Sequence, residues 1–80
     1  MESVPILAEV MLFSGNFAPR GWADCDGSLL KIDQNQALYS LVGTTYGGDG
    51  KATFGLPKID PPGRGLRYVI AVLGEYPQRH

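Results

Sequence analysis

The residue types that carry chemistry are sparse in this sequence, and their spacing does not bring them together. Cys25 is the only thiol and His80 the only imidazole, and they lie far apart along the chain. A nucleophile needs its base within hydrogen-bond reach, so Cys25 reads as a small buried apolar residue. Asp24, Asp26, Asp33 and Asp49 lack the spacing of a calcium loop, and Asp26-Gly27 and Asp49-Gly50 read as turn dipeptides. The glycine-rich stretch Gly43 to Lys51 invites comparison with a phosphate-binding loop. That motif needs Gly five residues before its Gly-Lys pair and Ser or Thr after it, at the start of a helix. Here Thr45 and Ala52 occupy those positions, and the loop follows a helix. Gly43, Gly47, Gly48 and Gly50 therefore read as turn positions with positive φ. Tyr46, Asp49 and Lys51 are left as candidate binding residues on an exposed loop. No acid, base, nucleophile or metal constellation emerges, so neither an enzyme nor a cofactor is expected.

The elements that would hold these residues are short. Ile6 to Phe13 reads as a strand with two largely apolar faces: Ile6, Ala8, Val10 and Leu12 on one, Leu7, Glu9, Met11 and Phe13 on the other. Pro5 suits its start. Trp22 to Cys25 reads as a strand, Asp26-Gly27 as a hairpin turn, and Leu29 to Ile32 as the returning strand. One helix is expected at about 34–42. Asp33 is its N-cap candidate, with Gln36 three residues on as in a capping box. Ala37, Leu38, Leu41 and Val42 form its apolar face, and Gly43 closes it. Thr53 to Pro57 reads as a short edge strand. A stiff Pro/Gly connector over Ile59 to Gly65 leads to the clearest strand, Arg67 to Leu73, rich in β-branched and aromatic residues. Val10, Leu12, Phe13, Trp22, Leu38, Phe54, Tyr68, Ile70 and Val72 are the candidate core or interface residues, because large apolar side chains dominate both.

The chain has 80 residues, a net charge of −1, 44% hydrophobic residues and 11 glycines. That points to one domain, residues 1–80, of α+β class, mostly β with one short helix. A domain of this size usually needs a disulfide, a metal or a partner subunit. One cysteine and one histidine leave oligomerisation as the open route. The near-neutral charge gives no nucleic-acid signature. No stretch of about 18 apolar residues suggests a membrane span, and no basic leader precedes Ile6 to Phe13, so cytoplasmic synthesis without a signal peptide is expected. The charge is uneven: residues 1–50 carry two basic against six acidic side chains, residues 51–80 five basic against two acidic. Such a bias reads first as a solvated surface, with complementary pairing between copies or stacked modules as the sharper alternative.

Two segments bear a family resemblance. Phe13-Ser14-Gly15-Asn16-Phe17-Ala18-Pro19-Arg20-Gly21-Trp22-Ala23-Asp24-Cys25-Asp26-Gly27 resembles the opening of the phage tail collar domain, found in tail-fibre proteins and in microcystin-dependent-protein relatives. The likeness continues through Gln34 to Gly50 and Thr53-Phe54-Gly55-Leu56-Pro57. It thus covers residues 6–57, and residues 66–74 resemble the family's closing strand. The variable insert common between these parts is replaced by Lys58 to Gly65 alone. The resemblance implies a homotrimeric structural collar or cap in a phage tail or tail-derived particle, with other tail or fibre proteins as partners. The alternative is a trimeric adhesin or lectin-like module binding a cell-surface glycan through Tyr46, Asp49 and Lys51.

Overall fold

The computed structural model describes residues 5–78. Its regular elements are β1 (Val10–Ser14), β2 (Trp22–Asp24), β3 (Leu29–Lys31), α1 (Gln36–Val42), β4 (Thr53–Gly55) and β5 (Leu66–Ala71). They form a small, mostly β domain with one short helix and two sheets. The β-branched run near the C-terminus becomes the central strand of the larger sheet, ordered β1-β5-β2 with both neighbours antiparallel. β3 and β4 make a separate antiparallel pair.

Register divides the larger sheet into two faces, because residues directly opposite in an antiparallel pair point the same way. Val10 faces Ile70, Leu12 faces Tyr68 and Ser14 faces Leu66. This is the face on which Ile70 joins Leu7, Cys25, Leu38, Phe54 and Leu56 in the main core. Val69 and Ala71, fully buried, lie on the other face, level with Met11, Phe13 and Trp22, which are half-buried. The strand covered on both sides is thus β5, the one with the most continuous apolar sequence.

α1 roofs the main core. With only seven residues it depends on packing rather than on its own hydrogen bonds. Leu38 is buried, and Tyr39, Leu41 and Val42 pack around the core beside it. The Tyr39 and Phe54 rings meet at 5.4 Å between centroids, tilted by 56°. At the helix end, the Gly43 N–H donates to Tyr39 O at 2.7 Å.

Four expectations are corrected. The strand over 6–13 is interrupted: the Glu9 N–H donates to Ile6 O at 3.0 Å, and Ala8 has φ 72°. The Ala8 N–H donates to Ala71 O while the Ala71 N–H donates to Glu9 O, so two residues oppose one. This is a β-bulge, and it lets Leu7 enter the core while Ile6 stays exposed. Leu29 to Ile32 does not return along β2. Asp26-Gly27 instead carries the chain from one sheet to the other, where β3 meets β4. Asp33 does not cap α1. Ile32–Gln34 form a 3-10 turn, Asn35 takes the N-cap position, and its Nδ2 donates back to Lys31 O at 3.0 Å. The closing strand ends at Ala71, because the Val72 and Leu73 N–H groups both turn to Gly21 O.

Before the bulge, the chain runs beside the C-terminal segment. Ile6 and Glu75 form a parallel bridge. The Leu7 N–H donates to Glu75 O at 2.8 Å, and the Glu75 N–H donates to Pro5 O at 2.9 Å. Ala8 holds a conformation that a side chain resists by about 1 kcal/mol. Ala8→Gly is therefore expected to stabilise the fold by about that amount, read as a rise in the urea midpoint with an unchanged slope. A lower midpoint would remove the bulge assignment.

Candidate interaction surface

The loop after α1 is built around one carboxylate. Asp49 Oδ1 accepts the backbone N–H groups of Lys51, Ala52 and Thr53 at 2.8, 2.9 and 3.0 Å. These three donors favour the charged form and lower the Asp49 pKa from 3.8 to about 2. A depressed carboxylate contributes stability above its unfolded pKa and loses it as pH falls through its folded value. The loop is therefore expected to hold above about pH 4 and to loosen toward about pH 2. In an NMR titration the amide shifts of Lys51 to Thr53 should move with a midpoint near 2. A midpoint near 3.8 would mean that these bonds do not hold the loop.

The same loop lies directly on β4. A Cβ placed on Gly48 would sit 2.3 Å from Phe54 Cα, and one on Gly55 2.6 Å from Tyr46 O. Glycine at both places lets the two backbones touch. Tyr46 and Lys51 consequently occupy opposite ends of the β3-β4 pair. Tyr46, half exposed, abuts Gly55, whereas Lys51 shares a shallow groove with Lys31, Asp33, Ala52 and Thr53. Asp49 is turned into its own loop. Asp49 and Lys51 are joined through the Lys51 N–H, and the Tyr46 backbone lies against Gly55.

The turn residues act locally. Gly27 has φ 83°. Asp26 Oδ1 accepts the Ser28 N–H at 3.0 Å and the Ser28 hydroxyl, and these bonds, the hydroxyl's foremost, lower its pKa. Beside it, Cys25 is buried, and its thiol pKa is raised first by burial and then by Asp24 and Asp26. Such a thiol is a poor nucleophile. Cys25 lies on the wall of a cleft of about 290 Å³ that also takes in Lys58, Ile59, Leu66 and Tyr68. Among the described residues, no three His, Cys, Asp or Glu side chains are grouped to hold a metal ion.

A clamp that the sequence did not announce crosses the far face of the sheet. Arg67 Nη1 donates to both Asp24 oxygens at 2.9 Å, and its Nη2 donates to Asn16 O at 3.0 Å. It ties β5 to β2 and to the loop after β1. The uneven charge along the sequence was the one available sign of such a pair, and it does not choose partners 43 residues apart.

The candidate core or interface residues separate into two groups. Leu38, Phe54 and Ile70 are buried, and Phe13, Trp22, Tyr68 and Val72 are half-buried. Val10 and Leu12 are 41% and 46% exposed on the outer strand β1, and Phe17, in the following loop, is 74% exposed. Val10 and Leu12 thus put apolar surface on a sheet edge, and Ile6, Leu29, Leu73 and Tyr76 are exposed as well.

The family model for the phage tail collar domain matches residues 8–60, about two thirds of the chain. The chain belongs to the phage tail collar domain family. No curated protein and no solved structure shows significant similarity to it. The collar match runs from the bulge through β4 to the connector. It stops before β5, which fills the centre of the larger sheet. Collar domains are structural modules of phage tail fibres and not an enzyme family. Among the described residues, no helix is long and apolar enough to cross a membrane.

Proposed function

We propose that the chain is a single tail-collar domain, residues 1–80, that assembles as a homotrimeric collar or cap in a phage tail fibre or tail-derived particle. Its work is assembly, and its partners are copies of itself and neighbouring tail or fibre proteins, which places it at the virion tail. The observation that carries this reading is the collar match over residues 8–60. The exposed apolar side chains of β1 support it, since a small domain without a covalent or metal brace gains most by burying such surface against neighbours. Adhesion to a glycan through Tyr46, Asp49 and Lys51 is the alternative reading. Size-exclusion chromatography with light scattering at micromolar concentration tests the assembly. The expected mass is three times 8.6 kDa, and a stable monomer would overturn it.

A further inference from the structure

We propose that β1 is the seam of the assembly, with Leu12 and Val10 meeting their own copies at the symmetry axis. This rests on the trimeric reading above and names the surface that the trimer uses.

The two edges of the larger sheet differ. Just past the end of β2, the connector pairs with the chain: the Gly27 N–H donates to Pro57 O, the Ile59 N–H donates to Cys25 O, and Asp26 and Lys58 form a bridge. β1, at the opposite edge, has no such cover among the described residues. Sheet edges left in water are normally blunted by a lysine, a proline or an inward charge. A bulge at Ala8 and Glu9 precedes β1, but Val10 to Ser14 hold no lysine, proline or inward charge, and no charged residue occurs from Val10 through Pro19. Of its exposed side chains, Val10 and Leu12 are large and apolar, and Ser14 is small and polar. Leu12 lies opposite Tyr68, and Ser14 lies opposite Leu66. The strip therefore continues across β5 to the half-buried Tyr68 and Leu66, and ends at the cleft whose lining includes Asp24, Asp26, Lys58, Asp60 and Arg67.

The absence of charge selects the occupant. At a rotation axis each residue approaches its own copies, so any charge there would meet the same charge. A foreign partner imposes no such condition and usually leaves complementary charges around the contact. A neutral, apolar strand flanked by Glu9 on one side and Arg20 on the other fits a surface that meets itself.

Leu12→Cys tests the seam directly, because Cys25 is buried and stays silent under mild oxidation. Three thiols at a three-fold axis can form one disulfide, so up to two of every three chains should run as linked pairs on a denaturing gel. Leu29→Cys, exposed on the other sheet, should give none. Leu12→Asp should release folded monomers with an unchanged circular dichroism spectrum. An unlinked Leu12→Cys trimer, or a Leu12→Asp chain that remains trimeric, would overturn the seam and leave the trimer standing. A monomeric wild type would overturn both. A wild-type dimer in which nearly every Leu12→Cys chain is linked would keep the seam and replace the three-fold axis by a two-fold one.

Discussion

Phe54→Ala should leave the chain largely unfolded well below the wild-type melting temperature. Phe54 has no exposed surface, and its ring packs against Tyr39 and the Leu38 side of α1. Truncating a buried phenylalanine costs about 3–5 kcal/mol, through lost burial and the cavity left behind. A domain of this length has about 4–12 kcal/mol in total. In a domain this small each kcal/mol shifts the melting temperature by about 4–8 °C, so the fall should exceed about 12 °C. Circular dichroism melting measures it. A fall of only a few degrees would mean that the helix and the β3-β4 pair do not share one core.

Alanine at Gly48 should cost more than alanine at Gly43, although both glycines have positive φ. At Gly43, φ is 57° and nothing lies within 4 Å of an added Cβ. Its ψ of −146° places it in a region open almost only to glycine, so a backbone penalty of about 1–3 kcal/mol is expected there. At Gly48 the added carbon would meet backbone atoms of Thr53 and Phe54, which cannot rotate away as a side chain tip would. Overpacking adds about 1–3 kcal/mol to the same backbone penalty. Parallel urea titrations of the two variants give the comparison directly. Equal midpoints would show that the glycine loop does not lie on β4.

Much of the fold was legible in local sequence. The β-branched run marked β5, the apolar spacing of Leu38, Leu41 and Val42 marked α1, and Thr53 to Pro57 stood out as a strand, of which Thr53–Gly55 pairs. Pairing was less legible, because it is decided between segments far apart. Asp26-Gly27 is a strong hairpin signal, yet the chain uses it as a corner between two sheets. The bulge at Ala8 was hidden because alanine fills a place where glycine would have given it away. Asp33 looked like a cap, but the 3-10 turn beneath it moved the helix start past Asn35. Of the candidate surface, the loop around Asp49 was visible as a glycine cluster. Its inward-turned carboxylate was not, since that depends on how the backbone folds back toward Thr53. The openness of β1 was invisible as well. Val10 and Leu12 have the residue types of a core, and only the topology leaves them uncovered.

The bridge between Ile6 and Glu75 bears on how the chain carries tension. Because the two segments run in the same direction, a pull that separates the two ends of the chain slides them lengthwise past one another. The Leu7 and Glu75 hydrogen bonds are then strained together and must break together. Behind them β1 and β5 run in opposite directions, a geometry that peels one bond at a time. The short parallel bridge would therefore resist such a pull as a unit, where the antiparallel pair behind it would yield stepwise.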